Sequence, residues 1–398
     1  MIGLADIQAA ARRIQGRVIR TPMMFSDSVS RVVGTEVFLK LENLQATGAF
    51  KERGAANRLA MLSPEERRRG VVAMSAGNHA QAVPRHAKLL GIEATIVMPK
   101  FTPTTKVVRT QGWGANVVLH GEMLAEAAAH ANFLAETEGM VFIHPYDDEA
   151  VMAGQGTMAL EMLEDFPDLD VLVIPVGGGG LIGGCAVAAG AIKPGIEVIG
   201  VEVAAYAPLA QRLAGMPVSV GGPTIAEGIA VRDIGVAPLA VVRAHVHDVI
   251  VVPERAVEEA IALLAEGAKT VAEGAGAAGV AALLAFPDRF VGKRVGTAVT
   301  GGNIDARILA NVMLRNLLRD GRLLRLVLEI PDRPGVLADI AGKIGGHGGN
   351  IIEVSHQRLF ASPSVQSAEL EVMFEARDAA HGAEIVQLLE QTYTVRRI

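Results

Sequence analysis

One cysteine, one tryptophan and three tyrosines are all that 398 residues offer of those types. A single thiol excludes any internal disulfide. Cys185 follows a glycine run inside an apolar, helix-like segment, where it reads as a small buried hydrophobe and not as a reactive group. Aromatic residues make up 4% of the chain, so Ala, Val, Leu and Ile must fill its core. No apolar run reaches the ~18 residues of a bilayer-spanning helix, and the N-terminus lacks a basic-then-apolar leader. The basic run Arg67-Arg68-Arg69 reads as the polar end of a helix, and the net charge is −6. That balance excludes a basic footprint for nucleic acid. The expectation is a soluble, cytoplasmic protein with neither a nucleic-acid nor a membrane partner.

Half of the residues are hydrophobic, enough for a large core, and the length allows two or three domains at roughly 100–200 residues each. The 44 glycines exceed the usual ~7% and cluster at 177–184, 274–279 and 345–349, as ligand loops and close packing require. Leu4, Ile7, Ala11 and Ile14 recur at helical spacing, with Gly16 as a stop. Strands are then expected at Val71–Met74, Ala94–Met98, Asn116–Leu119, Val141–Ile143, Val171–Val176, Ile196–Val201, Val249–Val252 and Val295–Val299. Helices over 78–90 and 122–138 and further helical segments separate them. Alternation of this kind, with a continuous apolar strand such as Val171–Val176, predicts a doubly wound α/β unit with parallel sheet.

The composition changes near Arg319-Asp320-Gly321-Arg322, which divides the chain into units 1–320 and 321–398. Strands over Leu323–Ile330, Asn350–Phe360, Gln366–Glu375 and 392–397, with helices over Gly335–Gly345 and 378–391, spell βαββαβ. That is a ferredoxin-like module.

Four segments carry chemistry. Thr47-Gly48-Ala49-Phe50-Lys51-Glu52-Arg53-Gly54 sets a lysine in a small-residue turn at a helix mouth, beside an aromatic ring. Lysine forms imines, and desolvation lowers its pKa into a useful range; in an arbitrary loop it is a solvated charge. Ser75-Ala76-Gly77-Asn78-His79 follows a strand and opens a helix, where backbone N–H groups and the Ser75 hydroxyl can receive a carboxylate. Ordinary helix capping is the plain alternative. Gly177-Gly178-Gly179-Gly180-Leu181 follows a buried strand and precedes a helix, so successive N–H groups can turn around a phosphate. It lacks the Gly-Lys-Ser/Thr of a nucleotide loop and the spacing of a dinucleotide site; a flexible turn is its plain reading. Thr300-Gly301-Gly302-Asn303 stands just after the last strand of the sheet.

In this order the four segments resemble the fold type II pyridoxal-phosphate enzymes, in the threonine dehydratase (threonine ammonia-lyase) branch with one C-terminal ACT domain. The resemblance runs from about Arg20 to the C-terminus. It implies a two-lobed catalytic unit with a small lobe at about 50–145, pyridoxal 5'-phosphate as cofactor, and dehydration of threonine to 2-oxobutanoate and ammonia, with serine as secondary substrate. Lys51 is then the imine-forming and proton-accepting residue. Phe50, Asn78, Gly177, Gly178, Gly179, Gly180, Leu181 and Thr300 line the cofactor, while Ser75, Ala76, Gly77 and His79 form the substrate side. His144–Asp148, Ala153–Thr157 and Thr224–Gly228 match the same pattern, with Tyr146 near the cofactor. A hydroxyl at Thr300, where relatives carry Ser or Cys, leaves the ring nitrogen largely neutral and favours β-elimination over transamination.

Ala76 stands where the serine racemase branch has a proton-transferring serine, and Pro208 where that branch has an aspartate six residues after Glu202. The first departure argues against racemisation, the second against a tightly bound divalent metal. Asp332-Arg333-Pro334-Gly335-Val336-Leu337, with Asn350 and Ile351, resembles an amino-acid effector site of an ACT domain. The resemblance implies isoleucine, the end product of isoleucine biosynthesis, as its effector, opposed by valine; a packing or dimerisation module of this common fold is the plain alternative. A homo-oligomer, dimer or tetramer, follows from the same resemblance. Two alternatives stay open: a serine or 3-hydroxyaspartate dehydratase or racemase of this fold, and a catalytically silent amino-acid-binding protein.

Overall fold

The computed structural model describes residues 1–357 and 367–398. The chain divides into Met1–Ile304 and Asp305–Ile398. The helix Ala306–Arg319 therefore goes with the C-terminal unit, whereas the sequence boundary at 320/321 places it with the catalytic unit.

The N-terminal unit contains two sheets. The larger runs in the order Met23–Phe25, Glu36–Lys40, Arg294–Ala298, Val171–Pro175, Glu197–Val203, Asp248–Val252. All its neighbours are parallel except the first pair. The smaller sheet is wholly parallel, in the order Asn116–Leu119, Ala94–Met98, Val71–Met74, Val141–Phe142. It is inserted in sequence between strands of the larger sheet, so the unit has a large and a small lobe. Val171–Pro175 and Ala94–Met98 are buried at every residue, as parallel strands covered on both faces must be. Each lobe has its own core. Leu172, Ile174, Met158, Met162, Ile182 and Val198 share the large one, and Leu59, Val71, Val83, Ile96, Met98 and Ile143 the small one.

The strands Met23–Phe25 and Glu36–Lys40 were not expected from sequence. The second has an apolar centre, Val37-Phe38-Leu39, between charged ends. Its terminal Lys40 is fully buried because its Nζ pairs with Glu161 at 2.6 Å. The low aromatic content is offset by close helix packing. A Cβ on Gly184 would fall 2.2 Å from Met152 O and 2.6 Å from Gly156 N, so the helices Glu149–Asp165 and Gly180–Ile192 meet backbone to backbone.

The C-terminal unit has the expected βαββαβ order after Ala306–Arg319, with an antiparallel sheet ordered Asn350–Gln357, Ser367–Glu375, Leu323–Pro331, Thr394–Arg397. Helices Val336–Gly346 and Ala379–Glu390 pack Ile344 and Ile385 against Leu326, Leu328 and Phe374 of the sheet. The parts of the expected strands over 358–360 and at 366 lie outside the described residues. No helix among the described residues is long and apolar enough to cross a membrane.

Candidate active site

Lys51 is the first residue of the helix Lys51–Ala60. The turn before it is fastened to the segment after the last large-sheet strand. Phe50 N–H donates to Thr300 O at 3.0 Å and Gly302 N–H to Gly48 O at 2.9 Å. Gly48 takes a φ of 74°, and a Cβ there would lie 2.7 Å from Asn303 Oδ1. Only glycine allows both the left-handed turn and that approach. The Lys51 ammonium donates to Pro145 O at 2.8 Å and lies 5.2 Å from the Phe50 ring centroid. Burial pushes its pKa down to about 8, because a low-dielectric surround disfavours the charged amine.

Ser75–Gly77 joins the strand Val71–Met74 to the helix Asn78–Leu89. Ser75 Oγ accepts from Gly77 N–H at 3.1 Å. Ser75, Ala76 and Asn78 are half-buried and Gly77 exposed. His79 is 3% exposed, and its Nε2–H donates to Ile143 O at 2.9 Å. Burial and the nearby Lys51 charge hold its pKa down at about 3. It is therefore a neutral ring packed behind the loop.

The Asn78 amide is fixed at both ends. Its Nδ2 donates to Glu273 Oε1 at 2.6 Å, and its Oδ1 accepts from Asn303 Nδ2 at 2.8 Å. Glu273 was missed in the sequence reading. It caps the helix Gly274–Ala285, and its amide donates to Gly301 O at 3.0 Å. A usable signal existed: Glu273 is the only charged residue between Lys269 and Asp288. Burial, with the charge of Glu227, raises its carboxyl to about 7 against the Asn78 hydrogen bond. Above that value the carboxylate holds the Asn78 amide more strongly; below it the proton weakens that hold. Glu273→Gln should therefore lose the acid-side fall in kcat/KM below about pH 7, with turnover down by roughly tenfold or more for a lost hydrogen bond to a charge. An unchanged acidic limb in the pH–rate profile would assign that limb to another group.

The glycine run links strand Val171–Pro175 to helix Gly180–Ile192. Gly179 has a φ of 92° and caps that helix, so amides and helix dipole converge on one point. A Cβ on Gly178 would sit 2.2–2.4 Å from Tyr146 Cγ, Cδ1 and Cδ2, and one on Gly180 2.9 Å from Tyr146 O. Gly177 lies against Ile229 and Gly228, while Leu181 is buried in the first helical turn. The small residues thus make room for Tyr146 as well as for a ligand. Tyr146 sits edge-on to His144 at 4.7 Å and follows Pro145, the residue that holds Lys51. Thr300 is 3% exposed, and its hydroxyl donates to Ala275 O at 3.3 Å.

Direct contacts thus join the Lys51, Asn78 and Thr300 segments, and Pro145–Tyr146 links Lys51 to the glycine run. Lys51 supplies a depressed amine, Asn78 a fixed amide, and the glycine run a phosphate cradle at the start of a 13-residue helix. This donor set fits pyridoxal phosphate. Glu202 lies elsewhere: its two carboxylate oxygens accept the Leu209 and Ala210 amides at 2.9 and 2.8 Å. In the C-terminal unit Asp332, Arg333, Gly335 and Leu337 are exposed at the turn opening helix Val336–Gly346. Asn350 Nδ2 donates to Glu375 Oε2 at 3.1 Å, and Ile351 packs on that unit's core.

The family model for pyridoxal-phosphate dependent enzymes matches residues 14–301, and that for the ACT domain residues 324–392. The chain is 43% identical to an L-threonine ammonia-lyase of Thermotoga maritima, covering 100% of this chain and 99% of the relative. It is 40% identical to an L-threonine ammonia-lyase of Geobacter sulfurreducens, covering 98% of each. Among solved structures, threonine deaminase isoform 2 of Solanum lycopersicum aligns with a TM-score of 0.74 at 32% identity, over 79% of this chain and 87% of that one. Maize serine racemase aligns at 0.73 and 37% identity, over 80% of this chain and 98% of that one.

Proposed function

This chain belongs to the pyridoxal-phosphate dependent enzymes, and on that premise we propose that it is an L-threonine ammonia-lyase. It converts threonine to 2-oxobutanoate and ammonia and takes serine as a secondary substrate. The observation that carries the reaction type is the Lys51 amine, desolvated to about 8 and pointed at Pro145 O beside the glycine cradle. Full-length likeness to two L-threonine ammonia-lyases supports the substrate.

When bound, the cofactor supplies an electron sink for the breaking Cα–H bond. Lys51 would hold it, and its amine would accept the Cα proton. A pKa of about 8 leaves roughly a tenth of the amine neutral at pH 7, enough for a base near its working pH. The N–H groups at Ser75–Asn78 receive the substrate carboxylate at the positive end of a 12-residue helix. Asn78, held by Glu273 and Asn303, would offer its remaining amide proton to the cofactor. The Gly177–Gly180 amides would hold its phosphate. The test is the visible spectrum of the purified protein followed by 2-oxoacid production across an amino-acid panel. An absent chromophore or no threonine turnover would end the proposal.

The likeness to a serine racemase raises a second reading. Ala76 disfavours it, because alanine transfers no proton to the second face of Cα. L-Serine should give pyruvate with little D-serine; chiral chromatography showing the two forming equally fast would restore the racemase reading.

The ACT module supports control by an amino acid, with isoleucine as end product and a homo-oligomer as the responding state. Isoleucine should shift threonine saturation in the full chain by a coupling of roughly 1–3 kcal/mol. Gly335→Asp should blunt that shift by setting a negative charge at the helix start, but the φ of 92° adds backbone strain. Asn350→Ala, which leaves the backbone alone, is the cleaner variant. Steady-state curves with and without isoleucine decide this, and identical curves in the native chain would reduce the module to assembly.

A further inference from the structure

The two residues after Lys51 are buried ions facing different lobes. Glu52 and Arg53 both have 0% exposure. The Glu52 carboxylate folds back to accept the Thr47 amide, closing the turn that contains Lys51. It also accepts from Arg85 Nη1 at 2.8 Å and His86 Nε2 at 3.1 Å. Both belong to the helix Asn78–Leu89, whose Ala80, Val83 and Ala87 pack in the small-lobe core. Arg53 faces the other way. Its Nε and Nη2 fork onto Glu42 at 2.8 and 2.7 Å, and its Nη1 and Nη2 reach Glu161 at 2.8 and 2.7 Å. Glu42 stands two residues beyond the large-sheet strand Glu36–Lys40, and Glu161 lies on the helix Glu149–Asp165 of the large-lobe core. Lys40 completes this set through Glu161 and Thr21 O, so two cations face two carboxylates.

Such groups are costly to bury, and a hydrophobic set of similar volume is often as stable or more so. A role beyond stability accounts for them here. We propose that Glu52 and Arg53 are positioning residues that tether Lys51 separately to the small and the large lobe, so that its reach is set at the lobe boundary. This rests on the assignment of Lys51 as the imine-forming residue.

The test uses the full chain stripped of cofactor. Pulse acetylation across pH, read by mass spectrometry, gives the titration midpoint of the Lys51 amine, which should fall at about 8 in the native chain because burial lowers it. In Glu52→Gln and Arg53→Lys a loosened turn lets water reach the amine, and the midpoint should rise toward the ordinary ~10.4. In the holoenzyme kcat should fall on the order of ten- to a hundredfold, with KM for threonine moving much less. His86→Gln, which leaves Thr47 and Arg85 on Glu52, is the milder variant should the others fold poorly, and should show the same direction. A midpoint that falls in Glu52→Gln would report only the loss of a nearby negative charge and overturn the proposal. So would an unchanged midpoint and kcat accompanied by a lower Tm, which a purely structural role predicts. Borohydride trapping on another lysine would remove the imine assignment itself, while the labelling result would still judge the tether.

Discussion

Lys51→Ala should abolish covalent cofactor attachment and lower threonine turnover by at least ~10⁴-fold, since attachment and proton acceptance are lost together. The fold should survive. Lys51 is half-buried, its ammonium donates to Pro145 O, and the turn around it is held by backbone bonds from Phe50 and Gly302 that the substitution leaves alone. The variant should therefore purify with a native circular dichroism spectrum and still bind cofactor non-covalently through the glycine run. Borohydride reduction and peptide mapping give the direct check: the label sits on Lys51 in the native chain and nowhere in the variant. A label on any other native lysine would sink the assignment.

Local features were the legible ones. The strands Val71–Met74, Ala94–Met98 and Asn116–Leu119 were bounded in the sequence as they are in the fold, because each is a β-branched or apolar run closed by a turn signal. The four motifs were legible because glycines and a helix start mark them locally. What escaped depends on partners far along the chain. Glu273 meets Asn78 across 195 residues, and Arg53 meets Glu161 across 108. No periodicity carries such pairings, and a charged residue looks solvated until its counter-ion is placed. The strand Glu36–Lys40 escaped for the same reason, since Lys40 is buried only by virtue of Glu161. The helix Ala306–Arg319 has one buried residue, Val312, so its sequence said little about which unit it joins.

Gly178→Val should weaken cofactor binding by roughly 10–100-fold, and the structure changes the reason. If the run only cradled a phosphate, the new side chain would crowd that group. In the fold the Cβ first meets the Tyr146 ring, at 2.2 Å from Cγ and 2.3 Å from Cδ2. No Cβ tolerates such contacts, so either the ring or the loop must move. The ring has little freedom, because it abuts His144 at 4.7 Å and its own backbone lies against Gly180. The loop would then yield, at about 1–3 kcal/mol of overpacking, and its amides would lose their convergence. Gly177→Ala is the internal control, since its Cβ would meet Val231 and Ile229 at 3.3 and 3.4 Å, contacts that a small shift relieves. A rescue separates the two causes. Tyr146→Ala on top of Gly178→Ala removes the obstructing ring, so cofactor affinity, measured by titration of the apoprotein, should recover much of the loss seen in Gly178→Ala alone. If it recovers nothing, the side chain at 178 obstructs the phosphate itself and Tyr146 is a bystander.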